Sequence, residues 1–368
     1  MTIHMKETNI LVVCGGTGGH VYPAIAVAEE LRRLYPAIGI VFAGRRSGFE
    51  GRAVSKVGFA LRNISIKGWQ RGKVFVNLPL IALVPLACLK ACMILLSERP
   101  AVVFGTGGYV CLPVLFAASL LGKKIVLQEQ NSFPGLTTRL FSGRARSVFL
   151  GYGEAKRFLA APDRTVVTGN PVRRTTDAAQ HALRSEYAIA SGQKVVFVFG
   201  GSQGSLPINR IILKNIDVIT NSGNVFILWQ TGPDDYAFVQ EQTQRNTQVR
   251  VFSYIDNMYD FYTAADLAVC RAGAMTISEL MKFGIPAVFI PLPHAAEDHQ
   301  SKNARAIEER GGGVCVDQEI AGEGIGVIIR ALLGDAARLA AMKQTMKSLF
   351  NEDAAAAIAR AIGKEGGL

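Results

Sequence analysis

Gly15-Gly16-Thr17-Gly18-Gly19-His20 is the stretch that decides the fold of this chain. The apolar run Ile10–Cys14 precedes it, and Val21–Leu34, which has helical character, follows it. A buried strand, a glycine turn and a helix start in this order are typical of a doubly wound α/β fold. N–H groups at such a helix start point outward, and glycine lets a ligand approach the backbone. The stretch therefore predicts an anion-binding loop at the carboxyl end of a parallel strand.

The strand and glycine-turn pattern recurs twice further along the chain. Ala101–Phe104 ends in Gly105-Thr106-Gly107-Gly108-Tyr109, and Lys194–Phe199 ends in Gly200-Gly201-Ser202-Gln203-Gly204. The strong chain breakers Thr168-Gly169-Asn170-Pro171 precede the last repeat. We therefore predict two doubly wound α/β domains that face a cleft, with ligands at the carboxyl ends of the strands.

The net charge of +11 is concentrated in the first half of the chain. Residues 1–170 contain 21 Lys and Arg against 8 Asp and Glu, whereas residues 171–368 contain 19 against 21. This imbalance predicts an anionic partner for the first half, either a membrane or a nucleic acid, with a solvated basic surface as the alternative. The stacking motifs of nucleic-acid-binding proteins are missing, so no nucleic acid is expected.

Several patterns argue against cofactors, metals and disulfides. The strand Ile38–Ala43 runs into Gly44-Arg45-Arg46 instead of an acidic residue, and the first glycine loop departs from GxGxxG, so no nicotinamide or flavin is expected. No Asp-x-Asp triplet occurs, which favours a pyrophosphate neutralised by helix termini over one bridged by a metal. The six cysteines form no CxxC pair, and no secretory signal precedes them, so reduced thiols in a cytosolic protein are expected.

Val74–Leu89 carries no charge and is rich in Leu, Ile and Val. We expect it to be too short for a comfortable membrane span and to be interrupted by Pro79 and Pro85. Cations flank this segment: Lys67, Arg71 and Lys73 on one side, Lys90 and Arg99 on the other. An apolar segment between cations predicts shallow insertion among anionic headgroups, and a helix packed on the sheet is the alternative.

His20 and Glu279 are the residues best placed for chemistry and for binding a ligand. His20 follows the glycines at a helix start, where the positive end of the helix dipole disfavours a protonated imidazole and favours a general base. The alternative is a histidine that only caps the turn. Glu279 lies one turn into a helix, where it could accept bonds from ribose hydroxyls. Thr276 and Glu279 also fit the T-x-x-E capping box, and Asp298 fits a helix N-cap.

Seven motifs, in this order, resemble those of the lipid-linked N-acetylglucosaminyltransferases of bacterial peptidoglycan synthesis, the MurG family. They are GGTGGH at 15–20, GTGGY at 105–109, EQN at 129–131, NPVR at 170–173, GGSQG at 200–204, RAGAMTISE at 271–279 and DHQSKNA at 298–304. The resemblance covers nearly the whole chain. It implies a GT-B glycosyltransferase with an acceptor and membrane-facing domain over 1–169, completed by the terminal helix 353–368, and a UDP-sugar-binding domain over 170–352.

The implied reaction is an inverting transfer of N-acetylglucosamine from UDP-N-acetylglucosamine. The implied acceptor is the 4-hydroxyl of undecaprenyl-pyrophosphoryl-N-acetylmuramyl-pentapeptide. The resemblance thus implies a role in cell-wall biogenesis, cell shape and cell division, at the cytoplasmic face of the bacterial inner membrane. Another lipid acceptor on the same fold, or a UDP-sugar epimerase, remains an alternative. The epimerase would consume the donor without an acceptor.

The resemblance also implies roles for individual residues. Ile255 would contact uracil through its backbone, Glu279 the ribose, and His20 would be the base. The residues implied to surround the diphosphate and nucleoside are Arg173, Ser202, Ala274, Met275, Thr276, Ile277 and Ser278. The residues implied to face the sugar are Asn131, His299 and Gln300, with Thr17, Gly18 and Gly19 approaching the donor. The residues implied to bind the acceptor are Gly15, Gly16, Gly105, Gly107, Gly108, Tyr109 and Glu129.

Overall fold

The structure of the chain is a computed structural model that describes residues 9–64, 66, 74–174, 182–201, 203–221, 223–293 and 298–368, without the side chains of 74–82 and 182. Its contacts form two compact units. The first comprises Met1–Arg174 and Asn351–Leu368, and the second comprises Thr175–Phe350.

The first unit is built on a seven-stranded parallel sheet of order β3-β2-β1-β4-β5-β6-β7. Its strands are β1 (Asn9–Val13), β2 (Gly39–Gly44), β3 (Ala60–Asn63), β4 (Val102–Gly105), β5 (Lys124–Glu129), β6 (Ser147–Leu150) and β7 (Thr165–Val167). Its helices up to the linker are α1 (Gly18–Leu34), α2 (Phe49–Lys56), α3 (Val74–Glu98), α4 (Cys111–Leu120) and α5 (Leu136–Phe141). The strand order reverses between β1 and β4, which makes that position the topological switch point.

The second unit repeats this plan with a six-stranded parallel sheet of order β10-β9-β8-β11-β12-β13. Its strands are β8 (Lys194–Phe199), β9 (Val225–Gln230), β10 (Val249–Phe252), β11 (Leu267–Cys270), β12 (Ala287–Phe289) and β13 (Gly313–Cys315). Its helices are α6 (Ala182–Glu186), α7 (Leu206–Thr220), α8 (Tyr236–Thr243), α9 (Met258–Ala264), α10 (Ala274–Phe283), α11 (His299–Glu309), α12 (Gln318–Gly334) and α13 (Ala336–Ser348). Its switch point lies between β8 and β11.

Burial on both faces explains why the central strands read as continuous apolar runs. In β1, Leu11 and Val13 face one core, which also contains residues of α3 and α4, whereas Ile10 and Val12 face the other. This other core of the first unit includes Ile358 of the terminal helix α14 (Ala354–Gly366), which packs on α1. Both sheets therefore lie between helical layers, and the predicted doubly wound fold class is confirmed.

Helix α1 begins earlier than the sequence suggests. It starts at Gly18, after the extended N-cap residue Thr17, whose carbonyl accepts the N–H of Val21 at 3.2 Å. The expected start at Val21 was wrong. It was placed at the first apolar residue, but the first turn of a helix needs only free N–H groups and no apolar side chains, so glycines can form it. Pro23 consequently lies in the second turn.

The expected interruption at Pro79 and Pro85 was also wrong, because α3 runs continuously from Val74 to Glu98. A proline removes one helical hydrogen bond and costs about 3 kcal/mol in a helix interior. Burial of Ala91 and Leu95, with the packing of α3 on α4, offsets this cost. In the described part of the chain, no helix is both long and apolar enough to cross a membrane.

The first unit ends at Arg174 and not at Gly169. Arg173 donates from Nε to Oε2 of Glu29 at 2.9 Å, and Arg174 pairs with Glu30, so both arginines are held on α1. Likewise, Asn351 Nδ2 donates to the carbonyl of Thr168 at 2.8 Å, which attaches the chain ahead of α14 to the same unit.

Candidate active site

The loops after β1 and β4 meet at the switch point of the first unit. The N–H of Thr106 donates to the carbonyl of Val13 at 3.1 Å. Gly108 has φ +89°, and a Cβ there would lie 2.0 Å from the carbonyl oxygen of Gly15. A Cβ on Gly16 would lie 3.2 Å from the ring of Tyr109. The two glycine loops therefore form one continuous backbone surface, which side chains at these positions would force apart.

His20 is fixed on this surface by partners from other strands. Its Nδ1 lies 3.0 Å from the carbonyl oxygen of Thr106 and 2.8 Å from Oε1 of Gln130. The hydroxyl of Thr106 donates to the carbonyl of His20 at 2.7 Å. The ring also lies against Gly107, where a Cβ would be 2.9 Å from Nδ1.

The ring of His20 therefore does not cap its own turn. Among the described residues, none hydrogen-bonds to Nε2 of His20. Since both partners of Nδ1 are oxygen acceptors, Nδ1 carries a proton, and in the neutral ring the lone pair therefore lies on Nε2. This arrangement is the one a general base requires.

Glu129 and Asn131 lie in the loop after β5. The buried carboxylate of Glu129 accepts the N–H and the side-chain amide of Asn131, each at 3.1 Å, and the N–H of Gly135 at 3.0 Å. Glu129 therefore shapes this loop. Arg173, a predicted donor contact, is held by Glu29 through its Nε and Nη2 groups.

The second glycine loop, at the switch point of the second unit, approaches the chain after β9. Gly204 has φ +75°, and a Cβ there would lie 1.9 Å from the carbonyl oxygen of Thr231. Gln230 connects the same two segments, because its Nε2 donates to the carbonyl of Gly201 at 3.0 Å. Ser202, a predicted diphosphate contact, lies outside the described residues.

Arg271 holds the loop after β11 in place. Its guanidinium donates to the carbonyls of Ile290 at 3.0 Å and Pro291 at 2.8 Å. It also donates to the hydroxyl of Ser205 at 2.8 Å and to Oε1 of Gln318 at 2.7 Å. This buried cation thus ties the loops after β8, β11 and β12 to the start of α12.

Helix α10 begins directly after this loop, with Gly273 at the N-cap. Its first turn contains four predicted donor contacts: Ala274, Met275, Thr276 and Ile277. The N–H of Ile277 donates to the carbonyl of Gly273 at 3.0 Å, whereas the N–H groups of the three residues before it have no acceptor within the helix. The hydroxyl of Ser278 turns back to the carbonyl of Ala274 at 2.9 Å. The helix start therefore offers backbone N–H groups and dipole to an anion.

Glu279 does not form a capping box with Thr276, because the N-cap is Gly273 and no side chain caps this helix. Instead, its Oε2 accepts the hydroxyl of Tyr262 at 2.9 Å. Burial raises the pKa of Glu279 to about 7, against the opposing effects of the Tyr262 hydroxyl and the charge of Lys282. A carboxylate held this way gains stabilisation from any further hydroxyl donors.

The predicted uracil contact, Ile255, lies near β9. Its N–H donates to Oε1 of Gln230 at 2.8 Å. The carbonyl of Ile255 is therefore the backbone group left for the predicted contact with uracil. The sequence analysis did not single out Gln230, which holds both the predicted uracil contact and the second glycine loop. Its signal was a polar residue at the end of the buried run Phe226–Trp229, at the carboxyl edge of the sheet.

The predicted sugar contacts His299 and Gln300 form the first turn of α11. Asp298 is the N-cap in a left-handed conformation, with φ 53°, and accepts the hydroxyl of Ser301 at 2.6 Å. Oε1 of Gln300 accepts the N–H of Leu292 at 3.0 Å. Both residues therefore lie at a helix start, and the side chain of Gln300 is hydrogen-bonded to the segment that follows β12.

Comparisons with known proteins agree with this architecture. Residues 10–150 match the profile described as glycosyltransferase family 28 N-terminal domain, and residues 195–358 match the glycosyltransferase family 28 C-terminal domain. The chain is 42% identical to the UDP-N-acetylglucosamine--N-acetylmuramyl-(pentapeptide) pyrophosphoryl-undecaprenol N-acetylglucosamine transferase of Salinibacter ruber, over 96% of both chains. It is 39% identical to the protein of the same name from Chlorobium phaeobacteroides, over 95% of this chain and 97% of that one.

The crystal structure of Acinetobacter baumannii MurG is similar to this chain with a TM-score of 0.74 at 25% identity. The similarity covers 97% of this chain and 99% of that one. The chain therefore belongs to glycosyltransferase family 28, in its MurG branch.

Proposed function

We propose that the chain transfers N-acetylglucosamine from UDP-N-acetylglucosamine to the 4-hydroxyl of undecaprenyl-pyrophosphoryl-N-acetylmuramyl-pentapeptide, with inversion. The relatives named above act on a lipid-linked muramyl-pentapeptide, as their names state. The observation that carries the proposal is that both partners of His20 Nδ1 are oxygen acceptors, which leaves Nε2 with the lone pair in the neutral ring. Such a group can take the proton from an attacking sugar hydroxyl.

The second unit is the proposed donor site. Its N–H groups at the start of α10 suit the diphosphate, Glu279 suits the ribose hydroxyls, and the backbone of Ile255 suits uracil. During transfer, negative charge develops on the departing UDP. Prearranged N–H donors at a helix start stabilise that charge without reorganising.

The first unit is the proposed acceptor site. The packed loops Gly15–Thr17 and Gly105–Tyr109 present backbone groups that a pyrophosphate can approach closely. In one displacement, the acceptor oxygen bonds to the anomeric carbon as the bond to UDP breaks, and His20 receives the hydroxyl proton. A single displacement inverts the anomeric centre.

The first unit also carries the surface we propose for membrane binding. We call it the α3–α5 apolar face, because α3 packs against α4 and α4 packs against α5. The exposed fraction of its side chains ranges from 49% for Phe116 to 71% for Leu120. They are Leu86, Leu89, Met93, Leu96, Phe116, Leu120, Leu136 and Leu140.

The spacing and the charges of this face suit a bilayer surface. Leu86, Leu89, Met93 and Leu96 recur every three or four residues, so they share one side of α3, opposite the buried Ala91. Exposed Lys90 adjoins the face; Lys67, Arg71 and Lys73, also expected there, lie outside the described residues. Apolar side chains beside cations favour shallow insertion among anionic lipids. We place the enzyme peripherally on the cytoplasmic face of the inner membrane, where a soluble donor and a lipid-linked acceptor meet.

Leu89→Glu combined with Met93→Glu is expected to weaken binding to vesicles containing anionic phosphatidylglycerol by about tenfold or more, since each buried apolar side chain contributes about 1.5–3 kcal/mol. Co-sedimentation across vesicle concentrations measures this. The matched control is Ile320→Glu with Val327→Glu, because these side chains are similarly exposed, at 63% and 65%, on α12 of the other unit. Equal losses in both double variants, or none in the first, would contradict the proposed surface.

The proposed reaction is tested with UDP-N-acetylglucosamine labelled in the sugar. We expect the label to enter lipid only when undecaprenyl-pyrophosphoryl-N-acetylmuramyl-pentapeptide is present, with equimolar release of UDP and a β-linked product. Consumption of the donor without acceptor would indicate an epimerase instead. UDP release with a different polyprenyl-linked sugar, and none with this acceptor, would overturn the acceptor assignment.

A further inference from the structure

Gln130 lies between the imidazole of His20 and the loop after β4. Its Oε1 is 2.8 Å from Nδ1 of His20, and its Nε2 donates to the carbonyl of Thr106 at 2.8 Å. The same carbonyl of Thr106 also contacts Nδ1 of His20. The side-chain amide of Gln130 therefore contacts both the imidazole of His20 and Thr106, the other hydrogen-bond partner of that imidazole. Gln130 is 2% exposed, so water does not compete for these bonds.

The orientation of the Gln130 amide follows from its surroundings. Its Nε2 lies near three oxygens: the carbonyls of Thr106 and Gln128, and Oε1 of Gln128. A reversed amide would place its oxygen against all three. Nε2 must therefore face these oxygens, and Oε1 must face His20 as an acceptor.

We propose that Gln130 is the positioning residue of the catalytic base, which holds His20 in the Nδ1–H tautomer. The proposal rests on the function proposed above. A base is usually oriented by a third group that accepts the proton on its other nitrogen. In this chain an amide takes that place.

A second layer of buried amides holds Gln130 itself. Nε2 of Gln128 donates to Oδ1 of Asn170 at 3.0 Å, and Nδ2 of Asn170 donates to the carbonyl of Gln130 at 3.1 Å. Asn170 fits closely, because a Cβ on Gly151 would lie 2.2 Å from its Oδ1. This closed ring of neutral donors and acceptors leaves Gln130 little freedom to rotate.

Within the described residues, no carboxylate is hydrogen-bonded to this network. Glu129, next to Gln130 in the chain, bonds to Asn131 and Gly135, and Glu50, behind Gly15, accepts the N–H of Arg45 at 3.0 Å. Tyr109 lines the same loop and is also un-ionised, since burial and then Glu50 raise its pKa, while Arg45 lowers it. A neutral amide orients the imidazole without adding a negative charge that would stabilise the imidazolium.

Gln130→Leu and Gln130→Glu test the proposal. Gln130→Leu removes the acceptor and is expected to lower kcat about 10- to 100-fold with both KM values within about threefold of wild type. The ring ¹⁵N shifts of His20, read by NMR in histidine-labelled protein, should move from the Nδ1–H pattern toward a mixture of tautomers. Gln130→Glu keeps an acceptor and adds charge beside the ring but replaces Nε2 by an oxygen that faces the oxygens of Thr106 and Gln128, so the melting temperature should fall and the acid limb of the kcat/KM profile should move up by about one pH unit.

Asn215→Leu is the matched control, because Asn215 is a buried amide of the other unit that donates to the carbonyls of Ile211 and Gly322. It should lower the melting temperature and leave kcat, the acid limb and the His20 shifts unchanged. Wild-type kcat in Gln130→Leu, or an acid limb unmoved in Gln130→Glu, would overturn the positioning role. The NMR readout needs no substrate. A wild-type enzyme that forms no product would therefore refute the proposed function and still leave the contact between Gln130 and His20 testable.

Discussion

His20→Ala is expected to lower kcat by about 10²–10⁴-fold, the usual contribution of a positioned general base. The Kd of UDP, measured by isothermal titration calorimetry, should stay within about threefold of wild type, because His20 is not among the proposed UDP contacts, which apart from Arg173 lie on the second unit. The loss should thus appear in turnover at saturating donor and acceptor. Near-normal turnover would rule out His20 as the base.

His20→Asn separates the chemical role of His20 from a structural one. An asparagine amide can occupy the position of Nδ1 and donate to Thr106 and Gln130, but it has no group at the position of Nε2. If His20 only holds the loops together, His20→Asn should retain most activity. If Nε2 is the base, His20→Asn should lose as much activity as His20→Ala while melting at a temperature close to that of wild type.

Glu279→Gln is expected to weaken UDP binding by about 10- to 100-fold, since hydrogen bonds to a charged group contribute about 1.5–3 kcal/mol. The amide keeps one acceptor for the hydroxyl of Tyr262 but loses the charge that would hold the ribose hydroxyls. Titration calorimetry with UDP measures the effect. Tyr262→Phe is the control, because it removes the hydroxyl behind Glu279 and should change UDP affinity much less.

The pH dependence of UDP binding gives a second test of Glu279. Because burial raises the pKa of Glu279 to about 7, half of the carboxylates are neutral near that pH, and binding should weaken as the pH falls from 8 to 6. The expected change is about fivefold to tenfold, and Glu279→Gln should not show it. A pH response equal to that of wild type in Glu279→Gln would show that another group is responsible.

The raised pKa of Glu279 also determines whether its contribution to folding stability rises or falls with pH. The folded state binds more protons than the unfolded state between pH 4.5 and about 7, so the contribution of Glu279 to stability falls as the pH rises through this window. Glu279→Gln should therefore not lower the melting temperature at pH 8. A lower melting temperature with unchanged UDP affinity would instead indicate a structural role.

The sequence predicted the buried strands well because parallel strands covered on both faces are continuous apolar runs. β8 has the predicted bounds, Lys194–Phe199. It did not predict β3 (Ala60–Asn63) or α2, since an edge strand of four residues and a short amphipathic helix carry weak periodicity. It also misjudged α3, where tertiary packing overrides the cost of two prolines.

By itself, the sequence determined the fold class, the glycine loops at the switch points and the positions of His20 and Glu279 at helix starts. These features depend on local patterns of apolar residues, glycine and polar strand ends. Only the tertiary structure decided which atoms of these residues remain available. The partners of His20 and Glu279, Gln130 and Tyr262, lie 110 and 17 residues away in the chain. No local pattern encodes such contacts, because the sheet order, and not the spacing along the chain, brings those side chains within hydrogen-bonding distance.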